Sequence, residues 1–579
     1  MSLSHHIDPE NIIHHLQGLR VQQPSGSSAR SGRDGGNAHL TAYSSPYASQ
    51  IEIPKYKMPE DGAPSDTVYA MIKDELDLDG RPNLNLASFV GTYADDNATK
   101  LMVDNLAKNL ADNDEYPAML SMSDRCVSII ANLWGAQKGE KAIGSPTVGS
   151  SEAIHLGGLA MKRRWQEKRR KEGKDTLKPN IIMGANAQVA LEKFARYFEV
   201  EARILPVSKE SNYRLDVNKV RENVDENTIG IFVILGSTYT GHYEPVEEVS
   251  KILDEIEKEK GWDVPIHVDA ASGGFVAPFS HAGVGKGLKW NFELPRVKSI
   301  NTSGHKFGLV TAGVGWIIWR DESQLPKDLI FELHYLGGTE QSYTLNFSRP
   351  GAQTIVQYYN LIHLGFNGYR DIMENCLANA RVLSKSLEAT GWYTCLSDIH
   401  RPVSDNKTET GAAEKVKEAV SSAAEKVTGE DKSSRVSPED NSANYVAGLP
   451  VVSFRFSDEF KKEFSHIKQE WVSVLMRARG WIIPNYALPP NEEDTEILRV
   501  VVRESMSFDL LERLVTDIVQ VTQTLMDHDE VDLSIMNHQK HRRAVVQQQV
   551  EGSEKKNEHK HKAGKHSKRM SEGIHRTVC

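Results

Sequence analysis

A lysine near the middle of the chain follows a sequence typical of a tight turn. Lys306 lies in residues 301–308, which read Asn-Thr-Ser-Gly-His-Lys-Phe-Gly. An amine held on such a turn can be desolvated and directed at an electrophile, as imine formation with an aldehyde requires. A lysine after a strand end is usually solvated, so Lys306 alone would indicate little, and the residues around it decide the interpretation.

An acidic residue precedes this lysine at the end of an apolar segment. Residues 267–275 read His-Val-Asp-Ala-Ala-Ser-Gly-Gly-Phe, and strand alternation puts His267 and Asp269 on one face. Open α/β sheets bind ligands at the carboxyl ends of their strands. A buried aspartate that caps the next turn is the alternative. Together, the lysine and the aspartate suggest pyridoxal phosphate, which needs a Schiff-base lysine and an acidic partner for its ring nitrogen.

A third group of residues could bind a phosphate. Residues 149–153 read Gly-Ser-Ser-Glu-Ala and open a helical pattern. The hydroxyls of Ser150 and Ser151 and the free N–H groups of a helix start would suit an anion. Plain N-capping, with Glu152 compensating the helix dipole, is the alternative. Beside the lysine, Ser303 and His305 could donate to the same phosphate.

The composition indicates the class of protein. With 579 residues, the chain is expected to form at least two domains. It has no apolar run near the length of a membrane span and no secretory signal pattern, so we expect no membrane contact. The net charge of −10 argues against nucleic acid as the main partner. Four cysteines without metal-type or redox-type spacing fit a reducing, cytoplasmic compartment.

The hydrophobic pattern predicts two kinds of architecture. Residues 65 to 365 alternate short apolar strands with helical segments, which indicates an α/β fold with a mostly parallel sheet covered on both faces. The predicted strands are 181–183, 204–207, 231–235, 266–269, 297–301 and 314–319, and the predicted helices are 189–198 and 246–260. After residue 370 we predict a smaller α+β domain, with strands 451–456, 481–483 and 498–502 and helices 467–479 and 508–526.

Several motifs occur in an order that resembles a known family. The resemblance is specific because the motifs occur together, whereas Gly-Ser-Ser alone would be weak evidence for a family. Over residues 60–400 and 445–527 the chain resembles the glutamate decarboxylases of bacteria, plants and fungi. Besides the three segments above, the motifs are Asn-Leu-Ala-Ser-Phe (85–89), Leu-Ala-Asp-Asn-Asp-Glu-Tyr-Pro (110–117), Tyr-Thr-Gly (239–241) and Asn-Phe-Ser-Arg-Pro (346–350).

The resemblance implies the aminotransferase-like (type I) fold of pyridoxal-phosphate enzymes and the conversion of L-glutamate to 4-aminobutanoate and CO₂. Lys306 would carry the cofactor and Asp269 would hold its ring nitrogen. The other implied cofactor-binding residues are Ser150, Ser151, Ser303 and His305 at the phosphate, Gln188 over the ring, Thr238 near Asp269, and Ser348 from a second subunit. The implied substrate-binding residues are Ser88, the Phe89 backbone, Asn109 and Asp112 at the distal carboxylate, and Arg499 at the α-carboxylate.

The resemblance also predicts assembly and regulation. Because Ser348 would reach a neighbouring site, we expect a homodimer or larger homo-oligomer. Ser88 stands where the bacterial members have threonine, which keeps the hydroxyl. The tail lacks the Trp-Lys-Lys context of the plant calmodulin-binding segment, and it does not end in the histidine of some bacterial members. We therefore expect neither calmodulin binding nor that pH-dependent control.

The chain is predicted to divide into five parts. Residues 1–55 form a disordered leader, 56–110 contribute to the dimer and the substrate pocket, and 111–365 form the large cofactor-binding domain. Residues 366–528 form the small domain, interrupted by a flexible insert at 405–444. Residues 529–579 form a disordered tail that is basic at its end: from 552 to 579 eight Lys/Arg face three Asp/Glu, giving +5 there and −15 elsewhere.

Alternatives remain at this point. Tyr335, in the glycine-flanked sequence His-Tyr-Leu-Gly-Gly, is the candidate proton donor to Cα of the substrate, and simple packing is its alternative role. Asp112 would repel a substrate carboxylate, so we expect tighter glutamate binding at mildly acid pH. The chain could instead be another pyridoxal-phosphate lyase, acting on aromatic amino acids or phosphorylated sphingoid bases, or a catalytically inactive scaffold.

Overall fold

A computed structural model describes residues 58–527, except 61, 113, 281, 282, 284, 286, 334–339 and 404–440. Contacts divide the chain into two units. The first contains helix α1 (Ser65–Leu76), and the second begins at Arg81 and contains every other element described below. The predicted leader and the predicted tail lie outside the described residues.

A seven-stranded sheet forms the centre of the second unit. Its order is β1-β7-β6-β5-β4-β2-β3, and β7 is the one strand that runs antiparallel to its neighbours. The predicted mostly parallel α/β fold is therefore confirmed. The strands are β1 (Ile143–Thr147), β2 (Asn180–Gly184), β3 (Glu201–Leu205), β4 (Thr228–Ile234), β5 (Ile266–Asp269), β6 (Val297–Ser303) and β7 (Gly315–Trp319).

Helices cover both faces of this sheet. On β2, Ile181 packs in a cluster with Phe194, whereas its neighbour Ile182 packs in another cluster with Leu253. Apolar residues therefore point to both sides, as expected for a strand with covered faces. The helices before and around the sheet are α2 (Asp96–Asp104), α3 (Pro117–Leu133), α4 (Ser150–Lys171), α5 (Val189–Tyr197), α6 (Val220–Asn223) and α7 (Val246–Lys260).

A second, antiparallel sheet follows the long helix α8 (Gly351–Ala389), which is interrupted at Gly365, where φ is +59°. Its order is β10-β11-β13-β12, and its core lies against α8 and the last helices. The elements are β8 (Phe331–Leu333) and β9 (Glu340–Ser342), which form a separate pair, then β10 (Tyr393–Cys395), β11 (Val451–Phe456), β12 (Asn485–Ala487) and β13 (Glu496–Val501), with α9 (Asp458–Glu463), α10 (Gln469–Ala478) and α11 (Phe508–Asp527).

Three local predictions need correction. Residues 481–483 are not a strand: Pro484 follows them, Ile482 forms only an isolated bridge with Asn85, and β12 begins later. Strand β3 begins three residues before the predicted 204–207, because an edge strand carries exposed charges where the prediction sought apolar residues. At the end of the predicted insert, Ser442–Asn444 is a 3-10 helix, and Ser442 is buried against Glu374.

The elements that were not predicted are strands β1, β8, β9, β10 and β12 and helices α1, α2, α3, α6, α8 and α9. Among the helices of the described residues, none combines the length and apolarity that a bilayer span requires. The remaining short elements are 3-10 helices at Pro82–Leu84, Val217–Lys219, Ala277–Phe279, Glu322–Gln324 and Lys327–Leu329.

Candidate active site

The carboxyl ends of three neighbouring strands meet the start of helix α4 at one cavity. Strand β4 leads to Thr238, β5 ends at Asp269, and β6 ends at Ser303, just before Lys306. The cavity encloses about 460 Å³. It brings together eight of the predicted residues. They are Ser150, Ser151, Gln188, Thr238, Asp269, Ser303, His305 and Lys306.

Lys306 carries a buried amine. Its Nζ donates a hydrogen bond of 3.1 Å to the hydroxyl of Ser272. Burial lowers the pKa of Lys306, and the neighbouring Arg499 charge lowers it further, while Asp269 opposes both effects. A lowered amine pKa makes more of the nucleophilic, neutral form available near neutral pH. The turn around it is tight: a Cβ on Gly304 or Gly308 would lie within 2.5 Å of another atom.

Asp269 is held by donors on one of its two carboxylate oxygens. Its Oδ1 accepts the Ala271 backbone N–H at 3.1 Å and the Asn301 side-chain amide at 2.9 Å. No described residue forms a hydrogen bond with Oδ2. The residue is 3% exposed and lines the cavity. One oxygen of the carboxylate thus remains free to accept a hydrogen bond from a ligand.

The hydroxyls predicted to bind phosphate converge. Ser150 Oγ and Ser303 Oγ are 2.5 Å apart at the first turn of the 22-residue helix α4. The free N–H groups and the dipole of a helix start favour an anion there. The charge of Glu152 compensates the dipole at the same helix end, which was the alternative interpretation of this segment. Its carboxylate also accepts the backbone N–H groups of Val148 at 2.8 Å and Asn346 at 2.9 Å.

His305 lines the cavity with a ring that is neutral in this arrangement. Its Nδ1 donates to the Val314 carbonyl at 2.8 Å, which leaves a lone pair on Nε2. Burial lowers the pKa of His305, and the charge of Lys306 acts in the same direction. A donor to phosphate at Nε2 would therefore require protonation, which a nearby dianion would favour.

A second set of predicted residues surrounds Arg499 beside the lysine. The Phe89 ring lies between two cations, 5.2 Å from Lys306 Nζ and 5.1 Å from Arg499 Cζ. Arg499 donates to the carbonyl oxygens of Thr238, at 3.0 Å, and Ala87, and its Nε has no hydrogen-bond partner among the described residues. Ser88, which follows Ala87 in the chain, accepts the Val90 N–H at 3.1 Å. Burial lowers the pKa of Arg499.

The remaining predicted residues are not brought to this cavity within one chain. Asn109 lies 3.3 Å from Ser348 Oγ and 3.4 Å from Asp112 Oδ1, so these three form a cluster of their own. None of them lines the cavity, and Ser348 is exposed. Tyr335, the predicted proton donor, lies outside the described residues.

Comparison with known proteins identifies the family. Residues 59–403 match the pyridoxal-dependent decarboxylase conserved domain. The chain belongs to the pyridoxal-dependent decarboxylase family. It is 45% identical over 532 residues to a glutamate decarboxylase of Saccharomyces cerevisiae, covering 89% of this chain and 86% of the relative. It is 45% identical over 479 residues to a glutamate decarboxylase of Petunia hybrida, covering 82% and 84%.

Solved structures of such decarboxylases have the same fold. A glutamate decarboxylase of Lactobacillus brevis superposes with a TM-score of 0.71 at 35% identity, covering 83% of this chain and 97% of that one. A sphingosine-1-phosphate lyase of Burkholderia pseudomallei, at 20% identity and a TM-score of 0.63, shares the fold alone. The predicted family and the predicted type I fold are both confirmed.

The cavity of this pyridoxal-dependent decarboxylase fits the cofactor of its family. It has a buried amine for the aldehyde, a carboxylate oxygen free to meet a ring nitrogen, and two hydroxyls at a helix start for a phosphate. Ser272 and Asn186, which also line it, were missed. Ser272 lies three residues after the predicted Asp269, and Asn186 stands two residues before the predicted Gln188, which caps helix α5.

Proposed function

We infer that this chain is a glutamate decarboxylase, which converts L-glutamate to 4-aminobutanoate and CO₂. The observation that carries this proposal is a cavity lined by Lys306 and Asp269, with Arg499 next to it across the Phe89 ring, in a chain 45% identical to curated glutamate decarboxylases. The lysine and the aspartate suit the cofactor, and the arginine suits an amino acid's carboxylate.

Bound through Lys306, pyridoxal phosphate supplies an electron sink for the carbanion left at Cα when CO₂ departs. Asp269 keeps a proton on the ring nitrogen, because an ionised carboxylate favours the cationic form of its partner. Ser150, Ser151, Ser303 and His305 would hold the phosphate at the start of helix α4. Gln188 would lie over the ring, and Thr238 would contact the ring oxygen or the carboxylate near Asp269.

Arg499 orients the substrate. Its two terminal nitrogens are fixed by backbone carbonyls, so the guanidinium plane is set before the substrate arrives, while no residue in the described part of the chain bonds Nε. A fixed guanidinium can hold the α-carboxylate out of the ring plane, which favours loss of CO₂ over other outcomes. Ser88 and the Phe89 backbone, in the segment whose Phe89 ring lies against Lys306 and Arg499, receive the distal carboxylate.

The active enzyme is proposed to be a homodimer or larger homo-oligomer with shared sites. Asn109, Asp112 and Ser348 cluster away from their own chain's cavity, and Leu345 and Phe347 beside them are 47% and 43% exposed. An exposed apolar pair next to polar site residues suits a surface that a second copy covers. From there, Ser348 reaches the partner's phosphate and Asn109 and Asp112 its substrate.

The remaining parts of the proposal concern the segment with Tyr335, the domains and the compartment. Tyr335 is proposed to deliver the proton to Cα. The domain boundaries proposed are 56–110, 111–365 and 366–528, with the insert at 405–444 inside the last of them and the leader and tail outside. A cytoplasmic location is supported by Cys126, Cys376 and Cys395, which are free and buried.

The test is turnover, by the full chain with added pyridoxal phosphate, of L-glutamate labelled at its α-carboxyl carbon. Released label and 4-aminobutanoate should appear in equal amounts. Aspartate, tryptophan and a phosphorylated sphingoid base serve as rival substrates, and Lys306→Ala as the inactive control. Faster turnover of a rival substrate, or wild-type CO₂ release by Lys306→Ala, would overturn the proposal.

A further inference from the structure

Four polar side chains lie in a row beneath the cofactor site, on one face of two adjacent parallel strands. Strand β5 contributes His267 and Asp269, and β6 contributes Ser299 and Asn301; the register pairs Ser299 with His267 and Asn301 with Asp269. All four are at most 3% exposed. We call them the polar row. Buried polar groups are costly unless they are hydrogen-bonded, so their pattern of donors and acceptors is constrained.

The hydrogen bonds of the polar row are continuous. His267 Nδ1 lies 2.7 Å from Ser299 Oγ, and His267 Nε2 lies 2.7 Å from Asn301 Oδ1. The amide nitrogen of Asn301 then donates to Asp269 Oδ1 at 2.9 Å. Both imidazole nitrogens of His267 and the amide oxygen of Asn301 are therefore hydrogen-bonded within the polar row.

The charge on Asp269 leaves one arrangement of protons. An ionised carboxylate only accepts, so Asn301 must present its NH₂ group to Asp269 and its carbonyl oxygen to His267. That carbonyl also only accepts, so Nε2 of His267 carries the hydrogen. Burial lowers the pKa of His267 to about 4, so the ring is neutral and Nδ1 accepts from Ser299.

We propose that Asn301 and His267 are positioning residues for the cofactor's ring nitrogen. With Asn301 and the Ala271 N–H both donating to Oδ1, the Asp269 carboxylate is fixed in rotation, and Oδ2 is the oxygen left to accept from a protonated ring nitrogen. His267 holds the Asn301 amide in the orientation that makes it a donor. The reversed amide would place two acceptors against each other.

The packing around His267 supports a specific role. A Cβ on Gly157 of helix α4 would lie 2.4 Å from the imidazole, so the helix passes this ring where only glycine fits. The Phe232 ring meets the imidazole edge-on at 5.4 Å between centroids. The imidazole plane is therefore set by its surroundings as well as by its hydrogen bonds.

The inference rests on pyridoxal phosphate binding at Lys306 but not on glutamate being the substrate. The test measures cofactor affinity alone, by titrating apoprotein with pyridoxal phosphate and with its analogue that has C–H in place of the ring nitrogen. Wild type should prefer the natural cofactor. Asn301→Leu should weaken binding of the natural cofactor by about tenfold and that of the analogue by less than about threefold.

Two further variants keep the test decisive. Asn180 is equally buried, bonds Asp225 at 2.8 Å, and starts β2, at the end of the strand away from the cavity, so Asn180→Leu should leave both affinities unchanged. Should Asn301→Leu not fold, Ser299→Ala should show the same loss of preference for the ring nitrogen, to a smaller degree.

Equal weakening for both compounds, or no weakening in either polar-row variant, would overturn the inference and indicate only a packing role. A wild-type protein that binds neither compound would instead contradict the proposed function.

Discussion

The carboxylate of Glu152, in the first turn of helix α4, accepts the backbone N–H of Asn346 at 2.9 Å. These residues are 194 positions apart, and the contact anchors the segment that carries Ser348 to the helix whose start holds the phosphate. Because Glu152 also accepts from Val148, one buried carboxylate organises both the cofactor end of its own chain and the stretch proposed to reach a partner.

Removing this carboxylate should weaken cofactor binding and assembly together. Glu152→Ala removes the acceptor of two partly buried N–H groups, which costs about 0.5–1.5 kcal/mol each in stability. We expect a lower melting temperature and a dissociation constant for pyridoxal phosphate raised by about tenfold. Glu152→Gln, which keeps one acceptor, should fall between alanine and wild type in both measurements. An alanine variant with wild-type cofactor affinity would contradict this role.

The lowered pKa of Lys306 predicts how cofactor capture depends on pH. The rate at which apoprotein reacts with pyridoxal phosphate should reach half its maximum below the ordinary lysine pKa of about 10.4. Asp269→Asn removes the group that raises this pKa, so the midpoint should move lower. Arg499→Leu removes a neighbouring positive charge, so it should move higher. Stopped-flow absorbance measures both, and shifts in the same direction would disprove the electrostatic account.

Substitution of Arg499 by lysine separates orientation from charge. A lysine keeps the positive charge but cannot keep two carbonyl anchors and present a planar donor pair. We expect Arg499→Lys to raise KM for glutamate by about tenfold or more, with pyridoxal phosphate affinity little changed. Arg503→Lys is the matched control, because Arg503 is similarly buried and donates to the Val90, Pro82 and Asn85 carbonyls. It should reduce stability without a specific rise in KM.

Shared sites predict recovery of activity in hybrids. Co-expression of Lys306→Ala chains with Ser348→Trp chains should restore about a quarter of wild-type activity, because half of the random dimers are hybrids and each has one intact site. Lys306→Ala with Asp269→Ala is the control, since both changes affect the same chain's cavity and no intact site can form. Sedimentation should confirm that the variants associate. Absence of recovery in the first pair would contradict a site built from two chains.

A charged network should make stability fall in acid. Asp398 is bonded to His242 at 2.9 Å and to Arg401 at 3.0 Å. Burial acts to raise the pKa of Asp398, but the hydrogen bond with His242 and the Arg401 charge outweigh it, so the pKa is lowered. The stabilisation is present above the ordinary pKa and is lost as pH falls through the folded-state value.

Urea unfolding between about pH 3 and pH 7 tests this sign. Asp398→Asn should flatten the acid side of the stability curve, whereas Asp371→Asn, at an exposed ion pair with Arg370, should not. A curve for Asp398→Asn as steep as that of wild type would contradict the assignment.

Most of the site could be predicted from the sequence because its functional residues lie in short, recognisable segments. Asp269, Ser150 and Ser303 each end or begin a regular element, Lys306 follows the end of β6 by three residues, and a parallel sheet brings such positions to one end of its strands. The side-chain alternation of a strand was also sufficient to predict that His267 and Asp269 lie on one face of the sheet. The register that places Asn301 beside Asp269 was not predictable, since it depends on which strands become neighbours.

The elements that were missed or displaced have weak local signals. β10 and β12 have only three residues each, too few to establish a period, and the start of β3 carries charges because it lies at an edge. Trp481 and Ile483 are buried by tertiary packing rather than in a strand, so their apolar character was misleading. Ser272 contacts Lys306 only because the turn after β5 folds back.

The carbonyl anchors of Arg499 make amino-acid recognition a property of the whole assembly. The guanidinium belongs to the antiparallel sheet, yet it is held by Thr238, after a strand of the central sheet, and by Ala87, from the stretch before helix α2. Hinge bending that parted the two sheets would release the Thr238 anchor, whereas Ala87 would stay with the antiparallel sheet, because Leu86 beside it accepts the Val501 N–H. Transferring strand β13 alone into another protein would therefore move Arg499 without the carbonyl groups that fix its orientation.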